Sequence, residues 1–215
     1  MKNIFLILLI ILFVRDAASQ VELSAGMGIT FNNTPSVADY INQNFAPDDD
    51  QYADFSSAVL FFVEGAYAVS ETYDVGIEIG YSLSSTNYDN LSGKFELAHS
   101  IIKPSVVNYY VIRGEGYNVK LGGGAGLRIV LVDETLPLTN TTFDYSSLGF
   151  GFLLKAEGNT SLGGNLFANI GLEARYDLNG EPERNGTPIY NPIQKENVNF
   201  NSLSFGIRLG VMYRI

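Results

Sequence analysis

The chain has 215 residues, with 22 glycines, 13 tyrosines, 14 phenylalanines, no cysteine, only 17% charged residues and a formal net charge of −10. That balance excludes nucleic acid as a partner, because phosphate binding needs surplus Lys and Arg. The missing cysteine excludes disulfides, thiol catalysis and a lipidated N-terminal cysteine, and nothing beyond the N-terminus is apolar for long enough to make a membrane-spanning helix.

Lys2 precedes an unbroken apolar run from Ile4 to Val14, and Ala17-Ala18-Ser19 sets small residues ahead of Gln20. This is the layout of a secretory signal peptide over residues 1–19, since the run is shorter than the roughly 20 residues a spanning helix needs. Cleavage would remove Lys2, Arg15 and Asp16. A mature domain of residues 20–215 would keep 11 of the 13 basic and 22 of the 23 acidic residues, a net charge of −11.

From Val21 onward the pattern is period two, the mark of a strand with two unlike faces. Val21, Leu23, Ala25, Met27, Ile29 and Phe31 oppose Glu22, Ser24, Gly26, Gly28 and Thr30. Val59, Phe61, Val63, Tyr67 and Val69 oppose Glu64, Ala66 and Ala68, with Leu60 and Phe62 breaking the pattern. Val75, Ile77, Ile79, Tyr81 and Leu83 oppose Gly76, Glu78, Gly80 and Ser82. Another strand falls within 95–112, where both faces carry apolar residues and Lys103-Pro104 interrupts. A bulge near Pro104 would reconcile them. Val119, Leu121, Ala125, Leu127, Ile129 and Leu131 then oppose Lys120, Gly122, Gly124, Gly126 and Arg128. Leu148, Phe150, Phe152 and Leu154 oppose Gly149, Gly151, Lys155 and Glu157. Leu166, Ala168, Ile170, Leu172, Ala174, Tyr176 and Leu178 oppose Asn169, Gly171, Glu173, Arg175 and Asp177. Last, Leu203 to Ile215 places seven apolar residues on one face, against Ser204, Gly206, Arg208, Gly210, Met212 and Arg214.

Eight strands suit an all-β, antiparallel, up-and-down transmembrane barrel, whose bacterial single-chain forms have even strand numbers. The connections alternate in length. Residues 32–55, 85–94, 132–146 and 179–197 read as long polar loops, and 70–74, 113–116 and 158–164 as short turns. That layout puts the long loops outside the cell and both termini in the periplasm. A soluble lipocalin-like barrel would turn the apolar face inward, around a greasy ligand. Here the other face carries Glu22, Glu64, Glu78, Lys120, Arg128, Lys155, Glu157, Glu173, Arg175, Arg208 and Arg214 among glycines, which suits a charged lumen and an apolar face in lipid. Phe31, Tyr67, Tyr81, Tyr117, Tyr176 and Tyr213 stand near strand ends, where amphipathic rings favour the membrane interface.

Arg208, Gly210, Tyr213 and Ile215 fit, in register, the C-terminal signal polar-x-Gly-x-x-hydrophobic-x-hydrophobic, with Ile in place of the usual terminal Phe. With the leader and the eight strands, the chain resembles the small Gram-negative outer-membrane β-barrel families of the OmpA-domain and OmpX-like type, over nearly all of residues 20–215. The resemblance implies residence in the bacterial outer membrane, contact with outer-membrane lipid, and assembly by the barrel-assembly machinery.

The chemistry the sequence offers is sparse. A buried charge needs a partner, so Glu173 and Arg175 are expected to link to Lys155, Glu157 and Arg208 in a structural lattice. A barrel of this size is filled by side chains, which argues against the alternative of a narrow pore. A second alternative, a lipid-modifying enzyme of the deacylase type, needs His and Ser two apart on one strand face. The single histidine, His99, is followed directly by Ser100, which points the other way. No catalytic, cofactor-binding or metal-binding residue is therefore assigned. Asp48, Asp49, Asp50 and Asp54 lack calcium-loop spacing, Gly122–Gly126 lacks a phosphate-loop frame, and Asn140-Thr141-Thr142 is a chance triplet in a bacterium. Tyr40, Phe45, Tyr52 and Phe55 in the first loop, and Ile189 and Tyr190 in the last, either contact an extracellular ligand or pack over the barrel mouth. The expected role is structural or surface interaction.

Overall fold

The computed structural model describes residues 21–47, 49–90, 93–137 and 141–215. The leader reading of residues 1–19, Asp48 and Asn140 lie outside the described residues. Eight long strands form one closed antiparallel ring: β1 (Val21–Asn33), β2 (Phe55–Ser70), β3 (Tyr73–Asn90), β4 (Gly93–Gly114), β5 (Tyr117–Thr135), β6 (Thr142–Gly163), β7 (Leu166–Leu178) and β12 (Ser202–Arg214). Each pairs with its sequence neighbours, β12 pairs with β7, and the β1–β12 ladder, from Glu22↔Arg214 to Asn33↔Leu203, closes the ring. The four remaining strands, β8 (Glu183–Arg184), β9 (Thr187–Pro188), β10 (Tyr190–Asn191) and β11 (Glu196–Asn197), are two-residue ladders in the last loop.

The period-two pattern maps onto the two faces of the wall. Outward residues include Leu148 at 70% exposure, Leu154 at 67% and Ile77 at 63%, while Arg128, Arg208 and Glu78 in the lumen are at 0%. This inverts the rule for water-soluble proteins, which bury their large apolar side chains and expose their charges. A continuous apolar belt of this extent is far beyond what a soluble monomer shows, so the lipocalin-like alternative does not describe this fold. The chain folds as a transmembrane barrel.

The structure corrects or refines four sequence expectations. The bulge at Pro104 is absent: β4 keeps one register against β3 throughout, with Ile79 opposite Pro104, and Ile102↔Ile129 and Ser105↔Gly126 lie on one register against β5. Lys103 and Pro104 simply have no ladder partner on β5, so the missing proline N–H is absorbed without an inserted residue. Second, the apolar residues on both faces of β4 have separate destinations. Val106, Tyr110 and Ile112 face lipid, while Phe95, Leu97, Ile101, Val107, Tyr109 and Val111 point into the lumen and are buried. Leu60 and Phe62 of β2 likewise point inward and are buried. Third, residues 85–94 and 132–146 are largely strand rather than irregular loop, because β3–β4 and β5–β6 extend as paired hairpins to Asn90↔Gly93 and Thr135↔Thr142. The turn expected at 158–164 is also shorter, since β6 runs to Gly163 and pairs with Leu166.

These tall hairpins create a second core above the charged lumen. It holds Val37, Tyr40 and Ile41 from a helix in the first loop, Phe95, Leu97 and Ile101 from β4, Val130 and Val132 from β5, and Ile189, Val198 and Phe200 from the last loop. The helix, α1 (Pro35–Asn44), begins with proline, which is tolerated in the first turn, and buries Val37, Ala38, Tyr40 and Ile41 on one face. It ends where Phe45 N–H and Ala46 N–H both donate to Ile41 O at 2.9 Å, just before Pro47. Phe45 stacks on Phe95 at 3.8 Å between ring centroids. The helix therefore lies across the barrel mouth.

Ile41 is fully buried, and Ile41→Ala should weaken docking of α1 by about 2–5 kcal/mol. The expected readout is faster proteolysis within residues 42–54, with the heat-modifiable gel migration of the barrel retained. Unchanged cleavage would show that α1 is held by other contacts.

Candidate functional site: a lumen of stacked ion pairs under a lid

The lumen charges expected from sequence point inward, and all but Arg214 are at most 6% exposed. The structure sorts them into three tiers. Nearest the short turns, Lys120 lies between Glu22 and Asp74, with Nζ in contact with the Glu22 carboxylate and 2.9 Å from Asp74 Oδ2. Arg214 reaches Glu22 and Arg113 reaches Asp74, each at 2.8 Å. Asn118, Asn159 and Asn169 continue this tier as a ladder of amide hydrogen bonds of 2.7 and 2.8 Å.

The middle tier is built around Glu78. Its carboxylate accepts from Lys155 Nζ at 2.8 Å, Arg175 Nη2 at 2.6 Å and Arg208 Nη1 at 2.6 Å. Lys155 also donates to Glu64 at 2.6 Å and lies 2.8 Å from Glu157. Glu173 accepts from Arg175 Nε at 2.7 Å and from Arg208 Nη1 at 3.2 Å. The Tyr109 hydroxyl donates to Glu64 at 2.7 Å and accepts from Lys155 at 2.7 Å. The links expected for Glu173 and Arg175 exist in part. Arg208 meets Glu173, while Arg175 meets Glu78 rather than Glu157. Arg208 also stacks its guanidinium 3.5 Å from the centre of the Phe62 ring, which occupies the space left by Gly26 and Gly210. This is why Phe62 breaks the alternation of β2.

Toward the long loops, Asp177 pairs with Arg128 Nε at 2.5 Å and Lys103 Nζ at 3.2 Å, and Arg128 Nη1 donates to Ser105 Oγ at 3.2 Å. Arg128 thus sits apart from the other lumen charges named from sequence. Among the partners that sequence reasoning did not assign are Asp74, Lys103, Tyr109, Asp177 and Arg113, the last placed in the expected turn at 113–116. Asp177 was legible, being in period with Glu173 and Arg175. Asp74 was hidden because β3 starts one residue before it, inside the expected turn. Lys103 and Tyr109 were hidden by the irregular pattern of β4.

Above the third tier the apolar core closes the mouth. Polar links cross it at Glu134, whose carboxyl accepts from the Tyr40 hydroxyl at 2.6 Å and also hydrogen-bonds Tyr145. Asp133 and Asp144 are exposed and point outward at this height, so the pair stands beyond the apolar belt. Burial pushes both the Glu134 carboxyl and the Tyr40 phenol above their ordinary values. The shared hydrogen bond raises the phenol further and offsets part of the rise at the carboxyl. Both groups hold a proton more tightly docked than undocked. Docking of α1 should therefore strengthen as pH falls toward 4.5, the ordinary value for Glu134, and weaken as pH rises past 10.0, that of Tyr40. The check is proteolysis of residues 42–54 across pH with protease activity normalised. Tyr40→Phe should remove most of the loss above pH 10.

The loop residues named from sequence divide. Tyr40, Tyr52 and Ile189 are buried and Phe45 is packed against them, whereas Phe55 and Tyr190 are about half exposed. His99 points into the mouth and meets Phe200 edge-on at 5.5 Å, with Ser100 opposite Leu83 and Leu131 on the outer face. Asp49, Asp50 and Asp54 are exposed. The four residues of the C-terminal signal separate by face: Arg208 and Gly210 point inward, while Tyr213 and Ile215 are 50% and 65% exposed.

No family profile and no curated protein matches the sequence. Solved structures do match its shape. The attachment invasion locus protein Ail of Yersinia pestis, in complex with the heparin analogue sucrose octasulfate, is similar at a TM-score of 0.55 and 11% identity. The match covers 93% of this chain and 100% of Ail. A major outer membrane protein from Thermus thermophilus is similar at a TM-score of 0.51 and 17% identity, again over 93% and 100%. The chain has the fold of the small outer-membrane β-barrel proteins. At these identities the likeness concerns the fold alone.

Proposed function

We propose that the chain is an outer-membrane protein of a Gram-negative cell, in which a sealed barrel acts as a rigid scaffold for surface-exposed loops. The observation that carries this is the filling of the lumen: three tiers of paired charges under an apolar lid leave the barrel a support rather than a conduit. In this reading residues 1–19 direct export, the termini face the periplasm, and α1 and the last loop face outward. The lumen charges act structurally, each compensating a neighbour that would be costly to bury alone. Arg208, Gly210, Tyr213 and Ile215 present the assembly signal, and outer-membrane lipid surrounds the belt. Catalysis is not part of the proposal: His99 packs edge-on against Phe200, Ser100 points to the outer face, and the hydroxyl of Ser84, paired with His99 across β3 and β4, donates to the Ser57 carbonyl at 3.3 Å.

The loops are the surface left for a partner. Ail is seen with a polyanion. Here the exposed loops carry Asp49, Asp50, Asp54, Asp89, Glu181, Glu183 and Glu196 against Lys94, Arg184 and Lys195. Charge complementarity favours a neutral or cationic extracellular ligand over a polyanion. Tyr190 and Ile193 are 50% and 59% exposed on the last loop and suit an apolar contact.

Two measurements test the proposal. The mature chain should fractionate with outer membranes and give heat-modifiable migration, and purified protein in planar bilayers should give no sustained channel openings. Well-defined openings would overturn the sealed-scaffold reading. Tyr190→Ser with Ile193→Ser should reduce cell adhesion without altering fractionation, and unchanged adhesion would remove the last loop from the contact surface.

A further inference from the structure

One side of the barrel carries two adjoining hollows of opposite character. At the loop end, a cleft of about 410 Å³ lies between the start of α1, the last loop and the upper ends of β7 and β12. It is lined by Asp39, Gln194, Glu196, Asn199 and Asn201, among others, and its floor includes Tyr176 and Leu203. Below it, on the lipid-facing wall, a groove of about 380 Å³ runs past Gly123, Phe152, Leu154 and Ala174. Tyr176 and Leu203 also line this groove. The two residues are paired across β7 and β12 and are 51% and 41% exposed. One surface is therefore continuous from a polar cleft beyond the apolar belt to an apolar channel within it.

We infer that this surface binds a membrane lipid with an uncharged, hydroxyl-rich sugar headgroup, the sugar in the cleft and an acyl chain in the groove. The inference rests on the membrane reading above. The polar–apolar continuity selects an amphiphile. The composition of the cleft selects its head. Amides donate to and accept from hydroxyl groups, carboxylates accept from them, and Tyr176 offers a ring face to a sugar. Asp39 and Glu196 line the cleft with no Lys or Arg among its lining residues, so a phosphate headgroup would be repelled. The groove exists because Gly123 and Ala174, the ladder partners of Leu154 on β5 and β7, leave the wall low on either side of it, while Phe152 and Leu154 stand out at 52% and 67% exposure.

The test uses the mature protein in a polyoxyethylene ether detergent, read by native mass spectrometry. The probes are a diglucosyl diacylglycerol and a phosphatidylglycerol with identical acyl chains. The glycolipid should be retained about tenfold more strongly, a difference of about 1.4 kcal/mol. Gly123→Leu fills the groove, and the space allows it, since the nearest atom to a Cβ there is Leu154 Cδ2 at 3.5 Å. That variant should reduce glycolipid retention about tenfold. Asp39→Lys with Glu196→Lys, both at exposed positions, should reverse the preference between the two lipids. Free disaccharide should compete poorly, because it lacks the chain. Equal retention of the two lipids, insensitivity to either set of substitutions, or full competition by free disaccharide would each overturn the site. Heat-modifiable migration reports folding of every variant, and Ala174→Leu replaces Gly123→Leu if that variant fails to fold. Mature protein that does not fractionate with membranes would overturn the underlying membrane reading. Loss of lipid preference alone would overturn only this site.

Discussion

Replacing Glu78 with Gln is expected to cost about 3–5 kcal/mol, the usual penalty for leaving buried cations without their partner. The geometry supports the upper part of that range. Glu78 is fully buried and is the one carboxylate shared by Lys155, Arg175 and Arg208. Glu64, Glu157 and Glu173 each meet a subset of these cations, so they share the load only in part. The measurement is urea unfolding in detergent micelles, followed by circular dichroism and by heat-modifiable migration. Arg214→Gln is the internal control. Its side chain is 22% exposed and its ion pair with Glu22 lies near the barrel end, so solvent screening should hold its effect to about 1 kcal/mol or less. A Glu78→Gln effect no larger than that of Arg214→Gln would show that the middle tier contributes little. Adding Arg208→Met to Glu78→Gln should recover part of the loss, because it removes one of the stranded charges.

Gly126→Ala should be the most damaging of the glycine-to-alanine substitutions in the wall. A Cβ at Gly126 would lie 1.9 Å from the Pro104 carbonyl oxygen and 2.5 Å from Ser105 Cα. Both obstacles are backbone, so no side-chain rotation relieves the clash, and β4 and β5 would have to move apart. Overpacking of this kind costs about 1–3 kcal/mol and occasionally more, and the rigid obstacle places the expectation at about 3 kcal/mol. Gly123→Ala, three residues away on the outer face, has ordinary clearance and should be nearly neutral. Comparing folding yields and urea midpoints of the two variants checks this directly. Similar behaviour of the pair would mean that the glycines of β5 act through chain flexibility rather than close approach.

Much of this protein was legible in one dimension because a strand writes its two faces into alternate residues. Leu203 to Ile215 alone shows an apolar face over seven positions, and the same code placed Glu22, Glu78, Lys155, Arg175 and Arg208 together on the other side. The alternation also separated long connections from short ones, and hence one end of the barrel from the other. The code failed where the lumen itself becomes apolar. In β4, Phe95, Leu97 and Ile101 point inward to meet α1 and Phe200, residues remote in sequence. No local rule distinguishes such a position from a lipid-facing one. Helix α1 was missed for a related reason: ten residues are too few for periodicity to stand out in a polar loop, and its apolar face has meaning only against the mouth it covers.

Ion-pair partnership was the other matter left to three dimensions. The sequence determined that charges of both signs occupy the lumen, since an inward charge must be compensated. It did not determine that Glu78 collects three cations, that Asp177 holds Arg128 and Lys103 apart from them, or that Asp74 joins Lys120 and Arg113. Those pairings depend on the stagger of strands around a closed ring, which brings residues as distant as Glu78 and Arg208 within 2.6 Å. Sequence alone thus determined a barrel with a greasy outside and a charged inside. Tertiary structure decided that the inside is filled and the mouth lidded, because closure of the ring sets which side chains meet across it.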